Sequence, residues 1–308
     1  MGICQVNNQQ KKPVIASMNQ KGGVGKTLCV GLLAEWFALI RKKRVLVIDL
    51  DMQCNTTDQW VGMEDVPNVV GGQLPPRHPE YNPEWGVNER STIADIFYGK
   101  PVLPYASWLT EQVGKGGFVE LMCGHPQWLE EVNIEFNQTD GQLDERVHNR
   151  LHSFLSSEEV QAEYDVILLD TGPSRNPIFR AAMRAASDVL VPFKPEEKDI
   201  QGINSMLQVI RQENYSRAKA VIPLSLIGLL PNMVRPTKLH ENNLSNMLTL
   251  HESIVFPKPA WLSHLTAFPE RDVKGIRPKS VFEFSKKNPA RVQAVAMCQY
   301  VEKKLDRK

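Results

Sequence analysis

Lys21-Gly22-Gly23-Val24-Gly25-Lys26-Thr27 stands between a short β-type run, Val14-Ile15-Ala16-Ser17-Met18, and an apolar, helix-forming run from Leu28 to Ile40. A glycine-rich turn between a strand and a helix lets backbone N–H groups converge on an anion. Gly22, Gly23 and Gly25 turn those groups inward with no Cβ in the way. The helix N-terminus adds unpaired donors and a partial positive charge. In such a loop Lys26 meets the β- and γ-phosphates of a nucleotide, and the Thr27 hydroxyl coordinates Mg²⁺. The ordinary pattern, G-x-x-x-x-G-K-[ST], requires glycine at position 20. Here Gln20 occupies it, followed by a second lysine, Lys21. A glycine-rich turn with incidental lysines is the plain alternative, and the strand–loop–helix context argues against it.

Two further apolar runs end in carboxylates. Arg44-Val-Leu-Val-Ile-Asp-Leu-Asp51 closes on Asp49 and Asp51, and Tyr164-Asp-Val-Ile-Leu-Leu-Asp170 closes on Asp170. Ligands of open α/β sheets collect at the carboxyl ends of parallel strands, which puts these acids on the loop's edge of the sheet. Asp170 suits the acid that holds Mg²⁺ through its water shell. A strand-end Asp also serves as a helix N-cap or turn former.

Runs at 13–18, 45–50, 118–122, 165–170, 188–193 and 224–230 read as short buried strands, with helical stretches between most of them. That alternation predicts an α/β fold: a doubly wound, mostly parallel sheet with helices on both faces. No linker divides the chain, so a single domain over 1–308 is expected. Its interruption, a surface insertion at about 62–90, is densest in Pro and Gly from Val66 to Arg90 and reads as a long loop without regular structure. Such a loop is either a tolerated insertion or a contact for a partner.

With Lys21–Thr27, Ile48-Asp-Leu-Asp-Met-Gln-Cys-Asn55 and Leu169-Asp-Thr-Gly-Pro-Ser174 in this order, the chain resembles the ParA/MinD family of deviant-Walker-A P-loop ATPases, and most the ParA branch, which partitions plasmids, chromosomes and other cargo. The resemblance continues through Ala186–Phe193 and Ile227–Asn232, and is weak over 62–150. It implies an ATP- and Mg²⁺-dependent ATPase, weak by itself and stimulated by DNA or a partner, working as a homodimer. Gly22, Gly23, Val24, Gly25, Lys26 and Thr27 would hold ATP, and Asn232 would lie near the base, although a turn Asn fits there as well. Thr27, Asp49 and Asp170 would serve the metal, and Asp51 would orient the attacking water. Lys21 would reach across the dimer to the partner's phosphates, where an ammonium meets charge that builds as the β–γ bond breaks. Met52 replaces the branch's usual proline, Gly172 stands where proline or alanine is common, and Leu28 stands where Ser or Thr would touch the α-phosphate. None removes a catalytic group.

The net charge is +1, so no global field draws the chain to nucleic acid. From Glu270 to Lys308, however, eleven Lys/Arg face five Asp/Glu, a net of +6. Arg271, Lys274, Arg277, Lys279, Lys286 and Lys287 form the densest part. Such a run is either a solvated face or a phosphate-backbone footprint. The resemblance implies the second, binding nonspecific DNA in the ATP state, with a ParB-like or cargo-adaptor protein stimulating hydrolysis. A MinD-like membrane-associated positioning ATPase is the alternative. Its anchor would be an amphipathic tail with bulky apolar residues, whereas the tail from Asn288 is rich in alanine and has no Trp or Phe. No apolar run approaches the ~20 residues of a membrane span. The five cysteines show neither C-x-x-C nor metal-ligand spacing, which fits a reduced cytosol without a metal cluster; the resemblance implies a cytoplasmic, nucleoid-associated setting. About twelve residues precede the first strand, too few for the helix-turn-helix of larger ParA relatives.

Overall fold

The computed structural model describes residues 11–67, 72–82, 84, 90–110, 116–137, 149–217, 223–268 and 279–306. Each apolar run that reads as a strand forms one: β1 (Val14–Ser17), β2 (Arg44–Leu50), β6 (Phe118–Met122), β7 (Val166–Thr171), β8 (Asp188–Phe193) and β9 (Ser225–Pro231). A short strand, β5 (Tyr105–Ala106), adds an edge, giving the order β5-β6-β2-β7-β1-β8-β9. All neighbours are parallel except β5, which runs antiparallel to β6.

The runs are continuously apolar because both sheet faces are covered. Successive residues alternate between two cores. Val14, Ala16, Leu46, Ile48, Ile167, Leu169, Val189 and Val191 face one side, where they meet α3 (Pro126–Asn137), α5 (Pro177–Ala185), α6 (Glu197–Ser216) and α7 (Lys238–His251). Ile15, Val45, Val47, Leu168 and Leu190 face the other, toward α1 (Lys26–Glu35) and α8 (Pro289–Leu305). Two further helices, α2 (Asn55–Trp60) and α4 (Glu158–Glu163), are short, with six residues each. The chain leaves β1 toward β2 on one side and comes back through β7 to β8 and β9 on the other. That reversal is where open α/β sheets bind ligands.

The last helix packs inward. Ala290, Ala294, Met297, Cys298 and Val301 are buried, and Arg41, just beyond α1, holds Glu302 with two hydrogen bonds of 2.7 Å. Among the described residues no helix is long and apolar enough to cross a membrane.

The Pro/Gly-rich stretch needs a correction. It contains a small antiparallel hairpin, β3 (Glu64–Asp65) with β4 (Gln73–Leu74), although 68–71, 83 and 85–89 lie outside the described residues. The Val66 N–H donates to Gly72 O at 2.9 Å and closes the turn. Arg90 pairs with Glu64 at 2.6 Å, and the Tyr105 hydroxyl donates to Pro76 O at 2.9 Å, so both ends are pinned beside β5.

A buried cation ties α5 to α6. Arg217, its side chain 4% exposed, donates to Met183 O at 2.6 Å and Ala186 O at 2.9 Å, and pairs with Glu213 at 3.1 Å. The guanidinium thereby satisfies carbonyls left open by the end of α5. Arg217→Ala strips those carbonyls and leaves Glu213 with Arg184 alone of its two arginine partners. It is expected to cost about 3–5 kcal/mol, read as a drop in the denaturant midpoint.

Candidate functional site

Parallel register sets the site. Ser17 pairs with Asp170, and Asp170 with Asp49, so the ends of β1, β7 and β2 place these residues on one rung. The glycine-rich loop starts at Lys21, four residues beyond Ser17, and closes at Gly25, where φ is 87° and α1 begins. A Cβ on Gly25 would stand 2.0 Å from Asn232 Nδ2, so only glycine fits. Gly22 has nothing within 4 Å of its missing Cβ and leaves the cradle open there. Val24 is buried behind the loop.

Asp170 is the centre of the acid group. Its Oδ2 accepts from the Thr27 hydroxyl and from the Thr56 hydroxyl, each at 2.7 Å. Its Oδ1 is buried and has no hydrogen-bond partner. Burial pushes the carboxyl up from the usual range, against the lowering pull of the Thr56 and Thr27 hydroxyls. Asp49 is fully buried; its Oδ2 accepts from Thr57 N and Thr57 Oγ1, both at 2.8 Å, and its Oδ1 from Asp51 N at 3.2 Å. Burial first, then the nearby Asp170 charge, raises its pKa as well. Asp49 therefore spends both oxygens on its own chain, beneath the loop that carries Asp51.

Asp51 is half-exposed and caps Gln53 N at 3.1 Å. A Cβ on Gly172 would lie 3.4 Å from Asp51 Oδ1, so the glycine leaves room beside this carboxylate. Lys26 is 6% exposed and donates to Lys21 O at 3.1 Å. Burial lowers its pKa, with Asp170 and Asp51 pulling the other way. Lys21 is exposed at the loop's mouth.

Asn232 sits behind the loop. Its Nδ2 donates to Val24 O at 2.8 Å, and its Oδ1 accepts from Met233 N at 2.8 Å. The side chain expected beside a base is thus engaged with the loop's back. Of the basic residues, Arg271, Lys274 and Arg277 lie outside the described residues, while Lys279, Lys286 and Lys287 are exposed. Ser280, next to Lys279, donates to the buried Glu35 of α1 at 2.6 Å.

Sequence reasoning missed three residues of this group. Thr56 and Thr57 fasten Asp170 and Asp49. Asn19 donates to Pro192 O at 2.8 Å and accepts from Lys21 N at 3.0 Å, bracing the loop's front. The only signal was two hydroxyls at the start of a helix directly after the Asp49–Asp51 turn.

The arrangement fits a metal-bound polyphosphate. An unpartnered, buried carboxylate oxygen beside a threonine hydroxyl suits a hard cation with oxygen ligands. The open glycine cradle and the buried Lys26 suit phosphates. Among the described residues no cluster of His, Cys, Asp and Glu holds a metal by itself. Cys29, Cys54, Cys123 and Cys298 are free and buried.

A sequence-family profile, AAA_31, described as an AAA domain, matches residues 12–221. The chromosome-partitioning ATPase Soj of Thermus thermophilus is 28% identical over 237 residues, covering 77% of this chain and 76% of that protein. The chromosome partitioning protein ParA of Caulobacter vibrioides is 28% identical over 200 residues, covering 65% and 62%. Among solved structures, an ATP complex of a McdA variant from Cyanothece superposes with a TM-score of 0.69 at 15% identity, covering 96% of this chain and 97% of that one. The cell division ATPase MinD of Pyrococcus furiosus gives 0.61 at 16% identity, covering 95% and 99%. The strand order, the deviant loop and the acids on its rung agree with these matches: the chain belongs to the AAA_31 family of AAA domains, as a P-loop ATPase of the ParA/MinD type.

Proposed function

We propose that this ATPase is a dimeric partition or positioning switch, one that binds nonspecific DNA with ATP and releases it after hydrolysis stimulated by a partner. The observation that carries it is Lys21, exposed at the front of the phosphate loop, with Asp51 half-exposed at the end of β2. The Soj and ParA relatives, both named for chromosome partitioning, support the cargo class.

In this reading the backbone N–H groups of Gly22 to Thr27 and the Lys26 ammonium hold the β- and γ-phosphates. Thr27 and Asp170 would hold Mg²⁺, which would supply positive charge against the phosphate oxygens. Asp51 orients water and accepts its proton. Asp49 acts through Thr57, fixing α2 and hence the turn that presents Asp51. Lys21 crosses to the partner's phosphates, which makes turnover depend on dimerisation. Asn232 serves the nucleotide by shaping the loop. Exposed Lys279, Lys286 and Lys287 supply cations to a DNA backbone, together with Arg271, Lys274 and Arg277. The MinD-like membrane reading loses support from α8, whose apolar residues already pack against α1.

ATPase activity with and without DNA tests the core of this. Lys21→Ala and Asp51→Ala are each expected to lose about 10²-fold or more in turnover. Asp51→Ala should still dimerise with ATP, and normal hydrolysis by Lys21→Ala would exclude the cross-subunit role. Filter retention of DNA should require ATP, vanish with ADP and fall steeply with salt; equal retention in both nucleotide states would refute gating. Thr56→Val keeps the shape but removes one of the two hydroxyls on Asp170. It is expected to cost about 1–3 kcal/mol of stability and to raise the Mg²⁺ concentration needed for half-maximal turnover.

A further inference from the structure

The connection from β8 to α6 brings a group to the loop that the loop motif does not contain. Lys194 directly follows β8, and its Nζ lies 3.8 Å from where a Cβ would stand on Gly23. Its backbone is braced on two sides. Phe193 O accepts from Asn232 N at 2.8 Å, and Pro195 O accepts from Asn243 Nδ2 at 2.9 Å. The Asp199 carboxylate, in the first turn of α6, stands near the Lys194 backbone. Lys194 is half-buried, which restricts where its ammonium can go.

Lys21 leans elsewhere. Its Cε and Cγ lie 3.8 and 3.9 Å from where a Cβ would stand on Gly202 of α6, so its stem rests on that helix. Lys21 and Lys194 both lie in the field of Asp199. Lys26 at the loop's end and Lys194 beside Gly23 thus offer the cradle two ammoniums from one subunit.

We propose that Lys194 is a phosphate-contacting residue, supplied by the same subunit and standing over the Gly23 side of the cradle. The inference rests on the loop being the ATP site. It divides the labour between two lysines outside the motif's common core: Lys194 sets how tightly a lone subunit holds the nucleotide, and Lys21 sets turnover in the pair. The hydrogen bonds to Phe193 O and Pro195 O on either side hold the Lys194 backbone in place.

The test is equilibrium binding of a fluorescent ATP analogue to the full chain with Mg²⁺. Lys194→Gln should weaken binding about tenfold at about 50 mM salt, with the gap narrowing at about 500 mM as charges are screened. Lys194→Arg should recover most of the affinity, and Lys198→Gln, at an exposed lysine in the first turn of α6, should change nothing. Binding by Lys194→Gln within about twofold of wild type would overturn the inference. So would a loss that neither salt nor Lys194→Arg alters, since that is the mark of a packing defect. If the wild type itself binds no nucleotide, the reading of the loop fails; if it binds and Lys194→Gln binds equally, only the role of Lys194 does.

Discussion

One oxygen of Asp170 holds three segments together. It receives the Thr27 hydroxyl from the start of α1 and the Thr56 hydroxyl from α2, while its own backbone ends β7. The rung Ser17–Asp170–Asp49 makes this possible, because parallel pairing delivers all three strand ends to one level. Thr57 extends the tie: its hydroxyl donates to Asp49 and accepts from Gly124 N at 2.9 Å, just past β6. Loop, water-side turn and sheet edge therefore form one hydrogen-bonded body.

That body is under electrostatic stress. Burial raises both Asp49 and Asp170 and lowers Lys26, so desolvation works against each of these charges. Asp170 Oδ1 has no partner. A site that is costly when empty gains from filling, because an arriving cation and polyphosphate meet charges already stripped of water. Local departures from the rules of a stable core are expected where function resides.

The sheet was legible in the sequence because each central strand is an apolar run covered on both faces, ending where the polar loop begins. Asp49, Asp51 and Asp170 were legible as carboxylates closing those runs. The edge strand β5 was not, since Tyr105–Ala106 has only two residues and owes its place to pairing with β6. The hairpin in the Pro/Gly-rich stretch was hidden for the same reason: tertiary pins, not local propensity, hold it. The part played by Asn232 escaped because an amide after a strand says nothing about which backbone it will meet. Lys194 escaped because its nearness to Gly23 depends on β8 lying beside β1, a fact of topology that no local pattern carries.

The two asparagines that grip the loop have a thermodynamic meaning. Asn19 holds the N–H of Lys21 in front, and Asn232 holds the carbonyl of Val24 behind while filling the space a side chain at Gly25 would need. The loop's curvature is thus set by the sheet and not by its guest. A loop that has already surrendered its backbone freedom during folding surrenders little more on binding, so most of the attraction between donors and phosphate survives as affinity. Glycine's usual liability, the many shapes it allows, has been spent before the nucleotide arrives.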